Sequence, residues 1–222
     1  MSHPAIAISN LAFRWRPADA FCLELANATV NAGKSLFLHG PSGSGKSTLL
    51  NLIGGVLLPA RGSVSLLGQS LGELSASRRD AFRADHLGFI FQQFNLIPYL
   101  SVLDNVLLPC RFSARRARGV SEPEAEARRL LNALDLDPAL LSRPAAELSV
   151  GQQQRVAAAR ALIGQPEILI ADEPTSALDA ERQAAFVELL LSEAKQAGSA
   201  VVFVSHDLRL AAHFDHSLAL TA

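Results

Sequence analysis

The sequence lacks long apolar runs and contains little cysteine. Hydrophobic residues make up 49% of its 222 residues, yet no apolar stretch approaches the roughly 20 residues that a membrane-spanning helix needs. The two cysteines, Cys22 and Cys110, lie far apart and have neither metal-binding nor redox spacing. We therefore expect both to be reduced thiols of a cytosolic protein, and any role at a membrane to be peripheral.

The sequence also lacks a secretory signal and an excess of charge of either sign. Its N-terminal residues, MSHPAIAISN, have no basic region and no long apolar core, so they do not predict a signal peptide. The 20 basic and 21 acidic residues give a net charge of -1. Since nucleic-acid-binding proteins usually carry a basic surface, this balance argues against nucleic acid as the main partner.

What the chain does have is an alternation of short apolar runs with helical stretches, which predicts an α/β protein with a mostly parallel sheet. The candidate strands are residues 5–8, 35–39, 88–91, 168–171, 200–205 and 217–220. The length suits one domain spanning residues 1–222. Within it, residues of about 93–162 are rich in Ala, Leu and Arg and are predicted to form a helical insertion.

An Arg-rich and Ala-rich patch over residues 111–118 lies in this insertion. A charged run of this kind is usually a solvated helix face, which is the interpretation we prefer. Contact with a partner or with anionic lipid headgroups is the alternative. The pair His213 and His216 has no further ligands nearby in the sequence, so it does not predict a metal site.

Residues 40–48, GPSGSGKST, fit the pattern GxxxxGK[ST] of a phosphate-binding loop. They follow an apolar run and open a helix expected over about 46–53, which is the context that the motif needs. Glycines let the backbone wrap around phosphate oxygens, which then face N–H groups and the helix N-terminus. The candidate nucleotide-binding residues are Gly40, Pro41, Ser42, Gly43, Ser44, Gly45, Lys46, Ser47 and Thr48.

Two residues of this loop have more specific expected roles. Lys46 would place a positive charge near the β- and γ-phosphates, and the Ser47 hydroxyl is a candidate Mg²⁺ ligand. A second GKS sequence, at residues 33–35, precedes a predicted strand and has Ala28 where the first glycine should be. We therefore interpret that sequence as a polar turn.

A pair of acidic residues ends the apolar run at 168–171. Asp172 is a candidate Mg²⁺ ligand, directly or through water, and Glu173 is a candidate to polarise the water that attacks the γ-phosphate. Strand ends are commonly polar, so the pair alone is weak evidence. Its place downstream of a phosphate loop and before PTSALD strengthens it. His206 follows the apolar run 200–204, and we expect it to contact the γ-phosphate.

Residues 148–160, LSVGQQQRVAAAR, contain a sequence of the LSxGQ type. With the phosphate loop and the acidic pair, this segment makes the chain resemble the ATP-binding cassette (ABC) ATPases over residues of about 6–220. The resemblance implies a P-loop NTPase core with an N-terminal antiparallel β subdomain and a helical insertion that carries this signature. It is closest to the small cassettes of the lipoprotein-release, macrolide-export and cell-division group.

The resemblance also implies roles for further residues. Gln92 matches the Q-loop glutamine, which can reach Mg²⁺ and the attacking water, and His206 matches the switch histidine. Asp179 matches the D-loop aspartate at the dimer seam. Trp15 stands where the family has an aromatic residue that stacks on adenine. Phe13, two residues earlier and hence expected on the same strand face, is the alternative.

The signature implies a second phosphate-contacting end. Ser149, Gly151 and Gln152 begin a predicted helix that runs to about Ile163. In the family this helix N-terminus faces the γ-phosphate held by the opposite protomer, so two ATP molecules would be sandwiched in a dimer, which we expect to be a homodimer. The usual third signature residue is glycine and here it is Val150, a difference with which we expect function to survive.

The resemblance thus implies an ATPase subunit, with ATP and Mg²⁺ as ligands, peripheral to the cytoplasmic face of the inner membrane. It would power a separate integral membrane permease, with export or membrane extraction favoured over import. Phe94, Leu96 and Tyr99 are candidates either for lining the permease groove or for packing in the core. A mechanical signal transducer of a cell-envelope complex is the alternative function. A soluble cassette acting on nucleic acid or ribosomes is disfavoured by the single motif set and the lack of a heptad run.

Overall fold

The computed structural model describes residues 3–176 and 178–221. The strands in these residues are β1 (Ile6–Phe13), β2 (Leu23–Val30), β3 (Ser35–His39), β4 (Arg61–Leu66), β5 (Gln69–Ser70), β6 (Leu87–Ile90), β7 (Ile168–Asp172), β8 (Ala200–Val204) and β9 (His216–Ala219). The helices are α1 (Lys46–Ile53), α2 (Ala76–His86), α3 (Val102–Phe112), α4 (Ala114–Arg118), α5 (Pro123–Ala133), α6 (Val150–Leu162) and α7 (Ala180–Gln196). These elements confirm the expected α/β class.

One sheet within the described ranges is parallel and has the strand order β6-β7-β8-β3-β9. Its central strands β3, β7 and β8 are buried over almost their whole length. Burial on both faces explains why these strands are continuous apolar runs in the sequence. Because the carboxyl ends of parallel strands share one edge, the loops that follow β3, β6, β7 and β8 lie at that edge.

The other sheet is antiparallel, with the order β2-β1-β4-β5. It confirms the antiparallel β subdomain that the family resemblance implied. The strand expected over residues 5–8 extends to Phe13, because β1 continues past an irregularity between Ser9 and Ala12. Asn10 there has a φ of 47°, and this interruption of the regular strand hides the second half of β1 from a search for alternating apolar residues.

The apolar residues form two cores on the two faces of the parallel sheet. In β7, Leu169 and Ala171 pack with α3, α5, α6 and α7, whereas Ile168 and Ile170 pack with α1 and the antiparallel sheet. This alternation follows from the side-chain period of two along a strand. The same strands that end at the candidate site are therefore fixed from both sides.

Two regions differ from the helix prediction. Helix α2 was not expected, because none of its side chains is buried and it therefore has no apolar periodicity. Residues 93–101 are not helical, and the predicted insertion begins its helices at α3, capped by the Ser101 side chain. That residues 93–162 form an inserted unit of a single domain stays a prediction. Among the residues described, no helix is long and apolar enough to cross a membrane.

Candidate functional site

The phosphate loop joins the end of β3 to the start of α1, so it lies at the carboxyl edge of the parallel sheet. Gly45, the residue before α1, has a left-handed φ of 91°, which favours glycine. Gly40 is required sterically, because a Cβ there would lie 2.4 Å from the carbonyl oxygen of Leu220. The first turn of α1 contains no acidic residue, so its N–H groups leave a positive helix end open to an anion.

Lys46 is the buried cation of this loop. Its residue is 7% exposed, and Nζ donates to the carbonyl oxygens of Gly40 at 2.9 Å and Pro41 at 3.0 Å. A buried ammonium group bonded to neutral carbonyls favours an anionic partner. The Ser44 hydroxyl of the same loop is buried without a hydrogen-bond partner in the described part of the chain. Both side chains can therefore serve a phosphate group.

Asp172, the last residue of β7, reaches the phosphate loop. Burial and the adjacent charge of Glu173 raise the pKa of Asp172 above its usual value, against the opposing effects of a hydrogen bond from Ser47 and the charge of Lys46. A carboxyl group whose ionised form is disfavoured in this way is stabilised by an added cation. Ser47 and Asp172, two of the three residues predicted to hold Mg²⁺, therefore lie close enough for the Ser47 hydroxyl to lower the Asp172 pKa, whereas Gln92, the third, has no such effect on it.

Glu173 and His206 meet at the same edge of the sheet. The His206 Nε2 atom lies 2.6 Å from Glu173 Oε1. Glu173 has a φ of 46°, a left-handed conformation that costs a non-glycine residue roughly 1–2 kcal/mol. Its N–H donates to the Val204 carbonyl at 3.1 Å. The Glu173 side chain is 18% exposed and that of His206 51% exposed, so the histidine orients the carboxyl group from the solvent side.

Gln92 is exposed and follows β6, which pairs with β7 so that Ile90 lies opposite Ala171. Gln92 therefore leaves the sheet at the edge where Asp172 ends β7. The structure places it there without a described contact to the other site residues, so its role stays a prediction.

Trp15 and Phe13 do not share a strand face as expected. Strand β1 ends at Phe13, which is 6% exposed and packs in the core, whereas Trp15 lies beyond the strand and is 65% exposed. The two rings contact each other edge to face, with centroids 5.1 Å apart. Trp15 is the ring that a planar ligand can reach.

The signature segment forms the N-terminus of α6. The Ser149 hydroxyl accepts from the Gln152 N–H at 3.4 Å, and the Gln152 side chain accepts from the Ser149 N–H at 2.9 Å, which is a capping box. Val150 is 51% exposed. A Cβ on Gly151 would meet nothing closer than Leu178 Cδ2 at 3.8 Å. The signature segment is thus exposed, and no other described part of this chain fills the space next to Gly151.

Asp179 is the N-cap of α7, where its carboxylate accepts from the Arg182 N–H at 3.0 Å. It is exposed, as a residue at a dimer seam would be before assembly. Ala177, which belongs to the same PTSALD run, lies outside the described residues.

An apolar groove of about 450 Å³ lies between the end of β6 and helices α2 and α3. Of the two alternatives left open for Phe94, Leu96 and Tyr99, the structure favours the core for Phe94, which is buried, and for Leu96, which packs against it. Tyr99 is 79% exposed and does not line the groove. The apolar lining comes from Leu87, Phe89, Phe91, Leu108, Pro109, Phe112 and the stems of Arg83 and Arg160. No local sequence pattern predicts the groove, because these residues are scattered over four elements.

Two of the four arginines in the Arg-rich patch pair with acidic residues of this chain. Arg111 pairs with Asp104 and Arg115 with Glu167. Arg116 is buried and donates to the carbonyl oxygens of Ala161 and Ile163 at the end of α6. Arg111 and Arg115 are about half exposed and Arg118 is exposed. Most of the patch is therefore a solvated face, as preferred from the sequence, and Arg116 is its buried exception.

The second GKS sequence lies at the opposite edge of the parallel sheet, at the start of β3. Lys34 Nζ donates to Asp215 at 2.8 Å, and Gly33 has a left-handed φ of 68° in a turn. The polar turn expected from the sequence is confirmed.

Comparison with known proteins places the chain in a family. The family model described as ABC transporter matches residues 23–176. The chain belongs to the ABC transporter family. It is an ABC transporter ATPase with the P-loop NTPase fold, similar over most of its length to the ATP-binding protein MJ0796 of Methanocaldococcus jannaschii, at 40% identity over 191 residues, 86% of this chain and 81% of that one.

Further similarities agree with the subgroup expected from the sequence. The lipoprotein-releasing system ATP-binding protein LolD of Shewanella denitrificans is 42% identical over 196 residues, 88% of this chain and 82% of that one. The dimeric structure of MJ0796 superimposes with a TM-score of 0.85 at 35% identity, covering 97% of this chain and 94% of that one. A dimeric post-hydrolysis structure of MJ0796, bound to ADP and Pi, gives the same values.

Proposed function

We propose that this ABC transporter ATPase binds MgATP at the carboxyl edge of its parallel sheet and hydrolyses it within a dimer of cassettes, thereby powering a separate membrane permease. The observation that carries the proposal is a convergence of side chains from separate segments. Three groups of side chains meet at one edge: buried Lys46, Asp172 beside Ser47, and the pair Glu173 and His206. A fixed cation, a metal-binding carboxyl group and a base are what phosphoryl transfer to water requires.

Binding of ATP would begin at the phosphate loop. Lys46 and the N-terminus of α1 supply the positive ends for the phosphates, and the exposed ring of Trp15 supplies a stacking surface for adenine. The structure of MJ0796 with ADP and Pi, at 35% identity, supports this assignment.

The residues of the site suit Mg²⁺. This ion prefers oxygen ligands and keeps waters and substrate phosphates, so it needs only one or two protein ligands. The Ser47 hydroxyl and the Asp172 carboxyl supply them, and the burial that raises the Asp172 pKa favours a cation. In residues 3–176 and 178–221 no group of three or more His, Cys, Asp or Glu side chains could hold a metal. When bound, Mg²⁺ would neutralise charge on the phosphate oxygens.

Hydrolysis is assigned to Glu173. Its carboxylate would accept a proton from the water that attacks the γ-phosphate, and the 2.6 Å contact with His206 Nε2 holds it in place. His206 is half exposed and can also donate to a γ-phosphate oxygen. Gln92, which leaves β6 at the same edge, would orient the same water.

The exposed N-terminus of α6 would complete the site of a second copy. Its anion-binding groups are backbone N–H groups and the Ser149 hydroxyl, which Val150 in the third signature place leaves unchanged. The room above Gly151 lets a phosphate of the opposite protomer approach. Asp179, exposed at the start of α7, would lie at the same seam.

The apolar groove would receive the permease. Its aromatic residues Phe91 and Phe112 are 42% and 80% exposed, and apolar surface of this kind marks a protein contact. Export is favoured by the names of relatives, LolD among them and the probable syringafactin export protein SyfD of Pseudomonas syringae, 42% identical over 88% of this chain but 29% of that one.

Mixed dimers test the shared site. Ser149→Arg protomers and Lys46→Ala protomers should each be inactive alone, whereas a mixture retains one site free of both changes. We expect verified mixed dimers to recover part of the ATP turnover. No recovery would contradict sites that are shared and independently active.

Membrane partners require a separate test. The tagged chain, expressed in its own host, should co-purify with an integral membrane protein, and Phe112→Asp should abolish that capture while basal turnover continues. Substrate movement by the complex in reconstituted vesicles would establish transport. ATP turnover with no substrate movement would favour the mechanical-transducer function instead.

A further inference from the structure

Arg160 connects the signature helix to the segment that follows Gln92. It lies in the last turn of α6. Its Nη1 atom donates to the Asn95 carbonyl at 2.7 Å and its Nη2 atom donates to the Phe94 carbonyl. Burial lowers the Arg160 pKa, and within the described residues no carboxylate pairs with this guanidinium group. A partly buried guanidinium group bonded to two carbonyls makes strong, directional hydrogen bonds.

The two carbonyls belong to residues with unusual backbones. Phe94 has a φ of 58° and Asn95 a φ of 49°, conformations that are costly for residues other than glycine. The turn is tight, since the Phe94 N–H donates to the Phe91 carbonyl at 2.9 Å and the Asn95 N–H to the Gln93 carbonyl at 2.6 Å. The turn therefore encloses Gln92, and Arg160 bonds its far side.

We propose that Arg160 is a positioning residue that sets the place of Gln92 according to the place of the signature helix. Ser149 and Arg160 lie at opposite ends of one 13-residue helix, Val150–Leu162, which moves as a rigid rod. When the N-terminus of α6 meets the partner's nucleotide, its other end shifts the Phe94 and Asn95 carbonyls and with them Gln92. Arg160 and Asn95 also line the apolar groove. A partner bound in the groove would therefore contact the same two residues that connect α6 to the Gln92 segment.

The inference rests on the proposed function, and Arg155 provides a matched control for it. Arg155 lies on the same helix and donates to the Leu134 carbonyl at 2.9 Å and to Asp135 Oδ2 at 2.6 Å. Like Arg160, it ties α6 to a backbone carbonyl, but its partners follow α5 and do not touch the Gln92 segment. Each substitution to Ala therefore removes hydrogen bonds between α6 and a neighbouring backbone segment. The two substitutions differ in the segment that loses its bonds to α6: the one after Gln92 for Arg160, and the one after α5 for Arg155.

Steady-state ATP turnover of the full chain should separate the two. We expect Arg160→Ala to lower kcat roughly 10-fold to 100-fold, because a small misplacement of a catalytic group has effects of that size. Nucleotide affinity, followed by fluorescence of Trp15, the one tryptophan, should change less than about threefold. Arg155→Ala should keep kcat within about twofold of the unchanged protein.

Chemical rescue distinguishes positioning from a loss of stability. Millimolar guanidinium should restore part of the turnover of Arg160→Ala and none to Arg155→Ala. Guanidinium weakens folded proteins in general, but binding in the space left by the substitution would stabilise this one. The melting temperature is therefore measured with and without guanidinium, and recovery of turnover without a rise in melting temperature is not a stability effect. Should Arg160→Ala fail to fold, Arg160→Lys is measured instead. It keeps the positive charge but lacks the planar fork that reaches both carbonyls, so it should lose kcat with affinity retained.

Two results would overturn the inference. One is equal turnover of the Arg160 and Arg155 variants. The other is a fall in turnover that matches a fall in melting temperature and does not respond to guanidinium. Failure of the unchanged chain to bind or hydrolyse ATP would instead contradict the proposed function, so the two failures are distinct.

Discussion

The phosphate-loop half of the candidate site and the signature half differ in how completely the chain builds them. In the first half, Lys46 is buried, Asp172 lies beside Ser47 of the loop, and Glu173 contacts His206. In the second half, Ser149 and Val150 are exposed, and the capping box bonds the segment to itself. The phosphate-loop half is therefore complete within one chain, whereas the signature half is an exposed surface whose counterpart must come from outside the chain.

We expect the greatest change in ATP turnover from a substitution of Glu173, the proposed base in the phosphate-loop half of the site. Replacing Glu173 with Gln removes the proposed base, so kcat should fall by about 10²-fold to 10⁴-fold. Binding of ATP, measured by Trp15 fluorescence, should persist and leave an ATP-bound dimer. Glu188→Gln, an exposed acid whose side chain is 67% exposed beside His213, is the control and should turn over normally. Normal turnover of the Glu173 variant would place the base elsewhere.

The next effect concerns nucleotide binding and uses the two GKS sequences. Lys46→Ala removes a charge-assisted contact to phosphate, worth about 1.5–3 kcal/mol, so ATP affinity should fall roughly 10-fold to 100-fold. Lys34→Ala breaks the pair with Asp215 at the other edge of the sheet and should leave affinity unchanged. Equal affinities of the two variants, in equilibrium titrations, would contradict the phosphate-loop assignment.

A smaller effect tests whether the signature half serves another copy. Ser149→Ala removes a helix cap, which costs about 1 kcal/mol of stability, and should weaken ATP-dependent dimerisation while affinity for ATP in the monomer is retained. Ser101→Ala removes the cap of α3, where the hydroxyl accepts from the Asp104 N–H at 3.0 Å. It should cost similar stability and leave dimerisation intact. Analytical ultracentrifugation with ATP measures dimerisation of both variants. Equal dimerisation of Ser149→Ala and Ser101→Ala would contradict a place for the signature segment at the dimer interface.

The smallest expected effect concerns Asp215, at the edge of the parallel sheet opposite the candidate site. We expect this residue to contribute to stability and not to ATP turnover. Hydrogen bonds from Lys34 and from the Ser35 N–H lower the pKa of Asp215 to about 2 from 3.8. Because the folded pKa lies below the unfolded one, this stabilisation is present above about pH 4 and is lost as the pH falls towards 2. Asp215→Asn should therefore cost about 1 kcal/mol at pH 7, and less near pH 3.

Urea unfolding at the two pH values measures this difference, with Glu24→Gln as the control. Glu24 pairs with Arg61 on the surface, where the side chains are 59% and 61% exposed, and such pairs contribute little. A cost for Asp215→Asn that stays constant down to pH 3 would contradict the role of its ionised form.

The sequence predicted best what is encoded by neighbouring residues. The phosphate loop, the strand that ends in Asp172 and Glu173, and the start of α6 are each consecutive in the chain, so motif and apolar pattern locate them directly. Helix α2 was missed because it buries no side chain. The shared strand face of Phe13 and Trp15 was wrong because β1 ends between them.

Contacts between distant residues could not be predicted from the sequence. Arg160 bonds carbonyls of residues 94 and 95, the latter 65 residues earlier, and backbone acceptors carry no side-chain signal. The groove brings together Phe89 of β6 and the residues Leu108 and Phe112 of α3. Such features depend on how the elements pack, which local patterns do not specify.

The last described strand has a practical consequence for handling the protein. The Leu220 N–H donates to the His39 carbonyl at 2.8 Å, and the Leu220 carbonyl lies where a side chain on Gly40 would be. Any tag or fused domain attached after this residue therefore starts beside the first glycine of the phosphate loop. An activity measured with such a fusion reports on the attachment as well as on the ATPase, and a removable tag at the other end is the cleaner choice.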